Sequence, residues 1–340
     1  MAPMRILVLG GTAFLSAEIA RWAIMAGHDV TCLARGTLAG PPAGATWVRA
    51  DRSQGTAAYA PVAAGPSGPA RWDAVIDVSR DPVQAREALE VLAGTARHWT
   101  VISSCSVYAD HSVAGAAEDA PVLPPLAPGT ELTMENYGEA KSAIEHWALG
   151  LARDKAHLCR AGLIGGPGDG SDRYGYWPAR FARDDGPVLV PDIPADPTQV
   201  IDVRDLAAWV VAAAETRVTG ALNAVGEIVP FAAYLEACRR LTGAKATVVA
   251  VPGDWLAGHG VNYWAGPDSL PLWLPPGHDG FAARSNSAAL AAGLSLRPWT
   301  QTLHDTLEDE RRRGLTRERK AGLGPEKERT VLAAFRDQPA

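Results

Sequence analysis

The chain has 340 residues, 47% hydrophobic and 21% charged, a balance that excludes disordered and fibrous classes. Its formal net charge of -6 argues against a protein that tracks nucleic-acid phosphates, so a small molecule is the expected partner. The four cysteines, Cys32, Cys105, Cys159 and Cys238, form no CxxC or Cys/His cluster. No metal site or disulfide framework is therefore expected, and a reducing cytoplasm fits best.

In chain order, Ile6-Leu7-Val8-Leu9 reads as a strand buried on both faces, stopped by Gly10-Gly11. The run is too short for a signal-peptide core or a membrane span, so a soluble protein without membrane association is expected. An amphipathic helix follows from Phe14 to Ala26, closed by Gly27, and then a strand from Val30 to Leu33. This is a βαβ unit. The alternation recurs through Trp47-Val48, Ala74 to Val78, a helix from about Pro82 to Leu92, Thr100 to Ser103, a helix at Tyr137, and Ala156 to Ala161. Such a pattern predicts an α/β fold, a Rossmann-type doubly wound parallel sheet with helices on both faces. Residues Gly55 to Pro69 read as a surface connection, and Ala109 to Leu132 as a long loop of the kind that carries function.

After Gly165 the texture changes to turns and aromatics, and a strand and helix return at about 199–225. The expected division is a dinucleotide-binding domain over 1–165, a smaller substrate-binding lobe over 166–198 and 226–310, and a charged helical tail over 311–340 with a solvated face. Trp255, Trp264, Trp273 and Trp299 in the lobe suit a flat or apolar substrate, or plug a core.

Three stretches carry chemistry. Gly10-Gly11-Thr12-Ala13-Phe14-Leu15-Ser16 occupies the first strand-to-helix turn, where small residues let backbone approach a pyrophosphate at a helix N-terminus. In a GxxGxxG register only Gly10 remains, with Ala13 and Ser16 at the other two positions. The second strand ends on Ala34-Arg35, where an acid would bind the ribose of NAD and an arginine can meet a 2′-phosphate. NADP is therefore the expected cofactor, with NAD the alternative. Tyr137 and Lys141, four residues apart, share one helix face, and a cation beside a phenol favours the phenolate needed for proton exchange.

With these stretches in place, the sequence resembles the extended short-chain dehydrogenase/reductase family, the NAD-dependent epimerase/dehydratase group, over residues 4 to about 310. The resemblance rests on residues 10–15, Asp51 after the third strand, Ser103-Ser104-Cys105-Ser106-Val107-Tyr108, Tyr137 to Lys141, Arg160 to Pro167, and Ile201 to Leu206. It implies Ser104 as the hydroxyl that orients substrate and Tyr137 as acid/base. It further implies Lys141 as the residue that holds the nicotinamide ribose and lowers the tyrosine pKa, Asp51 as a contact to adenine, and a homodimer formed by helix pairing.

Departures narrow the chemistry. Cys105 and Ser106 stand where dehydratases of this type carry Asp-Glu, which disfavours dehydration. Leu163 stands where many sugar-nucleotide epimerases place an asparagine, which weakens the case for a nucleoside-diphosphate sugar. The leading expectation is an NAD(P)(H)-dependent oxidoreductase moving hydride at a carbonyl or hydroxyl carbon of a small organic substrate. Its rivals are an NAD(P)-dependent epimerase of a sugar or sugar-like substrate, and a non-catalytic Rossmann protein that binds nucleotide or RNA.

Overall fold

The apolar runs pair side by side, as strands covered on both faces must. The computed structural model describes residues 2–37, 39–65 and 68–337. Seven strands form the main sheet: β1 (Arg5–Leu9), β2 (Asp29–Ala34), β3 (Thr46–Arg49), β4 (Ala74–Asp77), β5 (Trp99–Ser104), β6 (Ala156–Ala161) and β7 (Gly220–Ala224). Their spatial order is β7-β6-β5-β4-β1-β2-β3. Every neighbouring pair is parallel. The order reverses between β1 and β4, and a crevice opens at the carboxyl ends of strands at such a point.

Helices cover both faces. On one lie α1 (Phe14–Met25) and, late in the chain, Val203–Thr216, which bury Ile19, Ala23, Leu206 and Val210. On the other lie α2 (Pro82–Leu92) and α3 (Tyr137–Leu151), with Leu89, Leu92, Ile144 and Ala148 in the core. The start of α2 follows from its sequence: Asp81 accepts from the Val83 and Gln84 N–H groups at 2.8 and 3.3 Å, and Pro82 needs no N–H partner at the first position.

The C-terminal part forms a lobe with its own small sheets. Leu163–Gly165 runs parallel to Pro197–Asp202, which also pairs antiparallel with Ile228–Pro230; Val188–Pro191 pairs with Val248–Val251. Its core gathers Trp177, Phe181, Phe231, Tyr234 and Trp273. These aromatics hold the lobe together, so the reading of an aromatic-lined crevice for a flat substrate does not hold for them. Trp177 Nε1 donates to Pro271 O at 2.7 Å, and Trp273 is 3% exposed.

Two other expectations are corrected. The charged tail is not simply solvated: helices Trp299–Arg313 and Pro325–Arg336 pack on the lobe, with Glu310 and Glu328 both 2% exposed. Buried Glu328 receives Arg180 Nε at 2.9 and 2.7 Å, and Glu310 receives Arg313, Arg317 and Arg319, because a buried charge must be paired. Part of Gly55 to Pro69 is core: Tyr59 and Val62 are buried, and Trp72 Nε1 donates to Val62 O at 3.0 Å. Pro66 and Ser67 of that stretch lie outside the described residues. Among the described residues, no helix is long and apolar enough to cross a membrane.

Candidate active site

The turn between β1 and α1 explains its own glycines. Gly10 and Gly11 have φ of 130° and 95°, and a Cβ on Gly11 would lie 2.4 Å from Cys32 Sγ. Neither position accepts a side chain without strain. The next two family positions tolerate replacement. Ala13 is extended, with φ of -139°, and Ser16 packs over Gly10 while its hydroxyl donates to Ala13 O at 2.8 Å.

Beyond this turn a cavity of about 430 Å³ lies along the carboxyl ends of β1, β2, β3 and β4. Gly10, Thr12, Ala13, Arg35 and Asp51 all line it, so five expected cofactor residues from three strand ends converge. Phe14 and Leu15 do not line it: Leu15 is buried on the core side of α1, and Phe14 packs beside Gly168 of the lobe. Arg35 and Asp51 face each other at 4.0 Å, both well exposed. Hydrogen bonding from the Ser53 N–H, before any charge, holds the Asp51 carboxyl below its ordinary pKa. Under the cavity, Arg52 pairs with buried Asp77 at 2.8 Å, and Asp77 also accepts from the Ser79 N–H at 3.0 Å. This keeps the strand β4 exit rigid where Ser79 and Arg80 join the cavity wall.

Ser104, Tyr137 and Lys141 meet next to that wall. Ser104 ends β5, accepts from the Ser106 N–H at 3.1 Å and donates to Ser106 Oγ at 3.0 Å. Lys141, fully buried on α3, donates to Ser79 O at 2.6 Å and Ile102 O at 2.7 Å, joining the ends of β4 and β5. Burial lowers its pKa to about 8. Its ammonium lies 5.8 Å from the centre of the Tyr137 ring.

Lys141 is not the only cation beside the phenol. Burial raises the Tyr137 pKa, and the groups that counter it are Arg80, the Ser104 hydroxyl and Arg173. Two carbonyls hold the Lys141 ammonium at the strand ends. Arg80 stands with its guanidinium carbon 5.4 Å from the Tyr137 ring centre. Arg173 reaches the site from the lobe and stacks on Trp264 at 5.1 Å. Neither arginine has a sequence signal beyond its charge, and both were missed in the sequence.

The positions that departed from the family pattern are structural. Cys105 is buried with its thiol raised to about 12 by desolvation, so it is inert. Leu163 is 4% exposed in the lobe core. Arg160 forms a buried pair with Glu145, its Nη2 2.8 Å from Oε2, while Ser103 Oγ donates to Oε1 at 2.6 Å. Glu145 sits one turn beyond Lys141 on the same helix face, and that spacing was the available signal for it. The long loop after Tyr108 is tied down rather than loose: Arg160 Nη1 donates to Glu118 O at 3.1 Å, and Ser142 Oγ to Leu123 O at 2.6 Å.

No protein-family model and no curated protein matches this sequence. Solved structures do. A candidate epimerase from Burkholderia cenocepacia is similar at 20% identity and a TM-score of 0.69, over 91% of this chain and 99% of that one. A UDP-glucuronic acid 4-epimerase from Bacillus cereus, in complex with NAD, is similar at 15% identity and a TM-score of 0.65, over 92% and 100%. A UDP-glucose 4-epimerase from Thermus thermophilus, also in complex with NAD, is similar at 17% identity and a TM-score of 0.64, over 91% and 99%. The chain has the fold of these epimerases. At such identities the likeness is one of architecture: the seven-stranded parallel sheet and the smaller lobe.

Proposed function

We propose that this chain is a nicotinamide-dinucleotide-dependent enzyme of the extended short-chain dehydrogenase/reductase type. In this reading it epimerises a carbinol carbon of a sugar or sugar-like substrate through a transient ketone. The observation that carries the reading is the meeting of Ser104, Tyr137 and Lys141 beside a cavity lined by Gly10, Thr12, Ala13, Arg35 and Asp51. The fold shared with NAD-bound epimerases supports it over net oxidation or reduction.

The residues fit a dinucleotide because the turn before α1 brings Gly10, Thr12 and Ala13 to the cavity wall at a helix N-terminus, with no large side chain between backbone and cavity. When bound, the nicotinamide supplies a hydride acceptor and donor. Gly10, Thr12 and Ala13 would face the diphosphate, Arg35 and Asp51 the adenosine end, and Lys141 the nicotinamide ribose. Tyr137 Oη takes the carbinol proton and returns it, while Ser104 hydrogen-bonds the same oxygen; positioning and electrostatics supply the acceleration. Arg35 beside the cavity keeps NADP as the finer reading, although its partner Asp51 adds a negative charge that a 2′-phosphate would meet. A homodimer through α2 and α3 is supported by the exposed Val83, Leu149 and Leu151 on those helices.

A second reading is net reduction of a ketone, which needs a proton donor; burial shifts the Tyr137 phenol toward its protonated form. The two separate in one experiment. Proton NMR of UDP-sugars with the protein and catalytic NAD or NADP should show inversion at one carbon, with no net change in cofactor and no solvent deuterium at that carbon. Stoichiometric cofactor turnover would instead select the reductase. In either case Tyr137→Phe should lower turnover by about a thousandfold or more. Its dinucleotide affinity, read by calorimetry, should change little.

A further inference from the structure

The turn before α3 puts an oxidisable sulfur beside Tyr137. Among the described residues, Met134 and Met25 are the well-exposed methionines, at 74% and 68%, while Met4 is half-buried. The four cysteines are all buried, and desolvation pushes each thiol up, Cys32 and Cys105 to about 12, which leaves little thiolate for an oxidant. An oxidant that meets this chain therefore finds thioethers before thiols. The two exposed thioethers differ in their surroundings. Met25 ends α1, at the opposite end from the nucleotide turn. Met134 Sδ accepts from Arg80 Nη2 at 3.5 Å, and the Arg80 guanidinium carbon lies 5.4 Å from the centre of the Tyr137 ring.

The backbone around Met134 is fixed. The Thr133 N–H donates to Asn136 Oδ1 at 2.8 Å, and Asn136 Nδ2 donates to Glu131 O at 2.8 Å. Arg80 is held less firmly: its side chain is exposed, and the Met134 sulfur is the one acceptor its guanidinium meets among the described residues. A thioether is a weak acceptor. Oxidation makes the group polar and places an oxygen between the sulfur and the guanidinium, within hydrogen-bond reach. We propose that Met134 is an oxidation site read out by Arg80: conversion of its thioether to the sulfoxide fixes the Arg80 guanidinium at the Tyr137 ring. The co-reactant is a peroxide. In hydrogen peroxide the O–O bond breaks, one oxygen bonds to the sulfur, which is oxidised, and the other oxygen leaves as water.

A cation held beside a phenol favours phenolate, and Arg80 already opposes the rise that burial imposes on Tyr137. Oxidation at Met134 therefore eases removal of the Tyr137 proton. The consequence for turnover rests on the acid/base role proposed for Tyr137; the coupling from sulfur to phenol does not.

The test uses the full chain carrying Tyr137→3-fluorotyrosine. Hydrogen peroxide is added, conversion at Met134 and Met25 is read by peptide mass spectrometry, and fluorine NMR follows the phenol against pH. The oxidised chain should titrate about half a unit lower, and methionine sulfoxide reductases should restore the original midpoint. Met134→Leu and Arg80→Gln, each checked for folding by circular dichroism, should abolish the shift, and Met25→Leu should keep it. An unmoved midpoint with Met134 fully converted would overturn the proposal. So would a shift that survives in Arg80→Gln, or a Met134 that stays reduced while Met25 is oxidised. A shift that needs both Met134 and Arg80, in a chain that turns over no UDP-sugar with NAD or NADP, would keep the oxidation site and remove the enzymatic reading.

Discussion

Tyr137 is approached by cations from two sides, and the two sides are built differently. On the sheet side the Lys141 ammonium is satisfied by two backbone carbonyls at 2.6 and 2.7 Å, so it is a fixed part of the scaffold. On the lobe side Arg173 rests on the face of Trp264 and donates to Ser171 Oγ, which itself donates to Asp169, while Asp172 of the same loop is bound by Arg313 and the Lys320 N–H. A cation satisfied by backbone positions its neighbours. A cation held by stacking and one hydroxyl depends instead on the packing of the lobe around it.

The contrast can be broken most strongly from the lobe side. Glu310 is buried under Arg313, Arg317 and Arg319 and lies against Gly175, two residues from Arg173. Glu310→Ala should cost about 3 kcal/mol in urea unfolding, because it removes a buried carboxylate shared by three guanidiniums, of which Arg313 and Arg317 keep Asp172. Unchanged stability would show that the C-terminal segment contributes little to holding the lobe.

The sheet side is sharpened by pH. Native Lys141 gives up its proton near pH 8, whereas an unfolded lysine keeps it to about 10.5. Between these values the unfolded chain binds more protons, so this group's contribution to stability rises with pH across that window. Its charge is lost over the same interval. Dinucleotide affinity should therefore fall several-fold as pH rises through about 8, and Lys141→Met should flatten that dependence in a calorimetric titration. An unchanged pH profile in the variant would show that the ammonium does not serve the cofactor.

The smallest expected effect is at the far end of the cavity. Arg35→Ala removes an exposed charge, and screening limits exposed charges to about 1 kcal/mol. A loss of NADP relative to NAD affinity of about fivefold is expected if Arg35 meets a 2′-phosphate. An unaltered ratio would leave the cofactor choice to other residues.

Much of the sheet was legible because its signals are local. Ile6 to Leu9, Pro82 to Leu92 and Ala156 to Ala161 fall where apolar runs, an Asp-Pro cap and a continuous hydrophobic strand put them. Gly10, Thr12, Ala13, Arg35 and Asp51 lie at strand ends, so a correct strand order was enough to bring them to one cavity. The lobe resisted for the opposite reason. Its strands are two to six residues long, and its aromatics and paired charges meet across large sequence separations: Arg180 with Glu328, Arg204 with Asp305.

The sequence by itself determined the doubly wound sheet, the nucleotide turn and the spacing that puts Tyr137 and Lys141 on one helix face. Each depends on residues near one another along the chain, where backbone geometry leaves few alternatives. Only the tertiary structure decided which cations lie beside Tyr137, that the tail packs on the lobe, and that Trp273 plugs the lobe core while Trp264 meets Arg173. Those outcomes depend on which charges find partners when distant segments pack, and burial makes an unpaired charge too costly to leave to local preference.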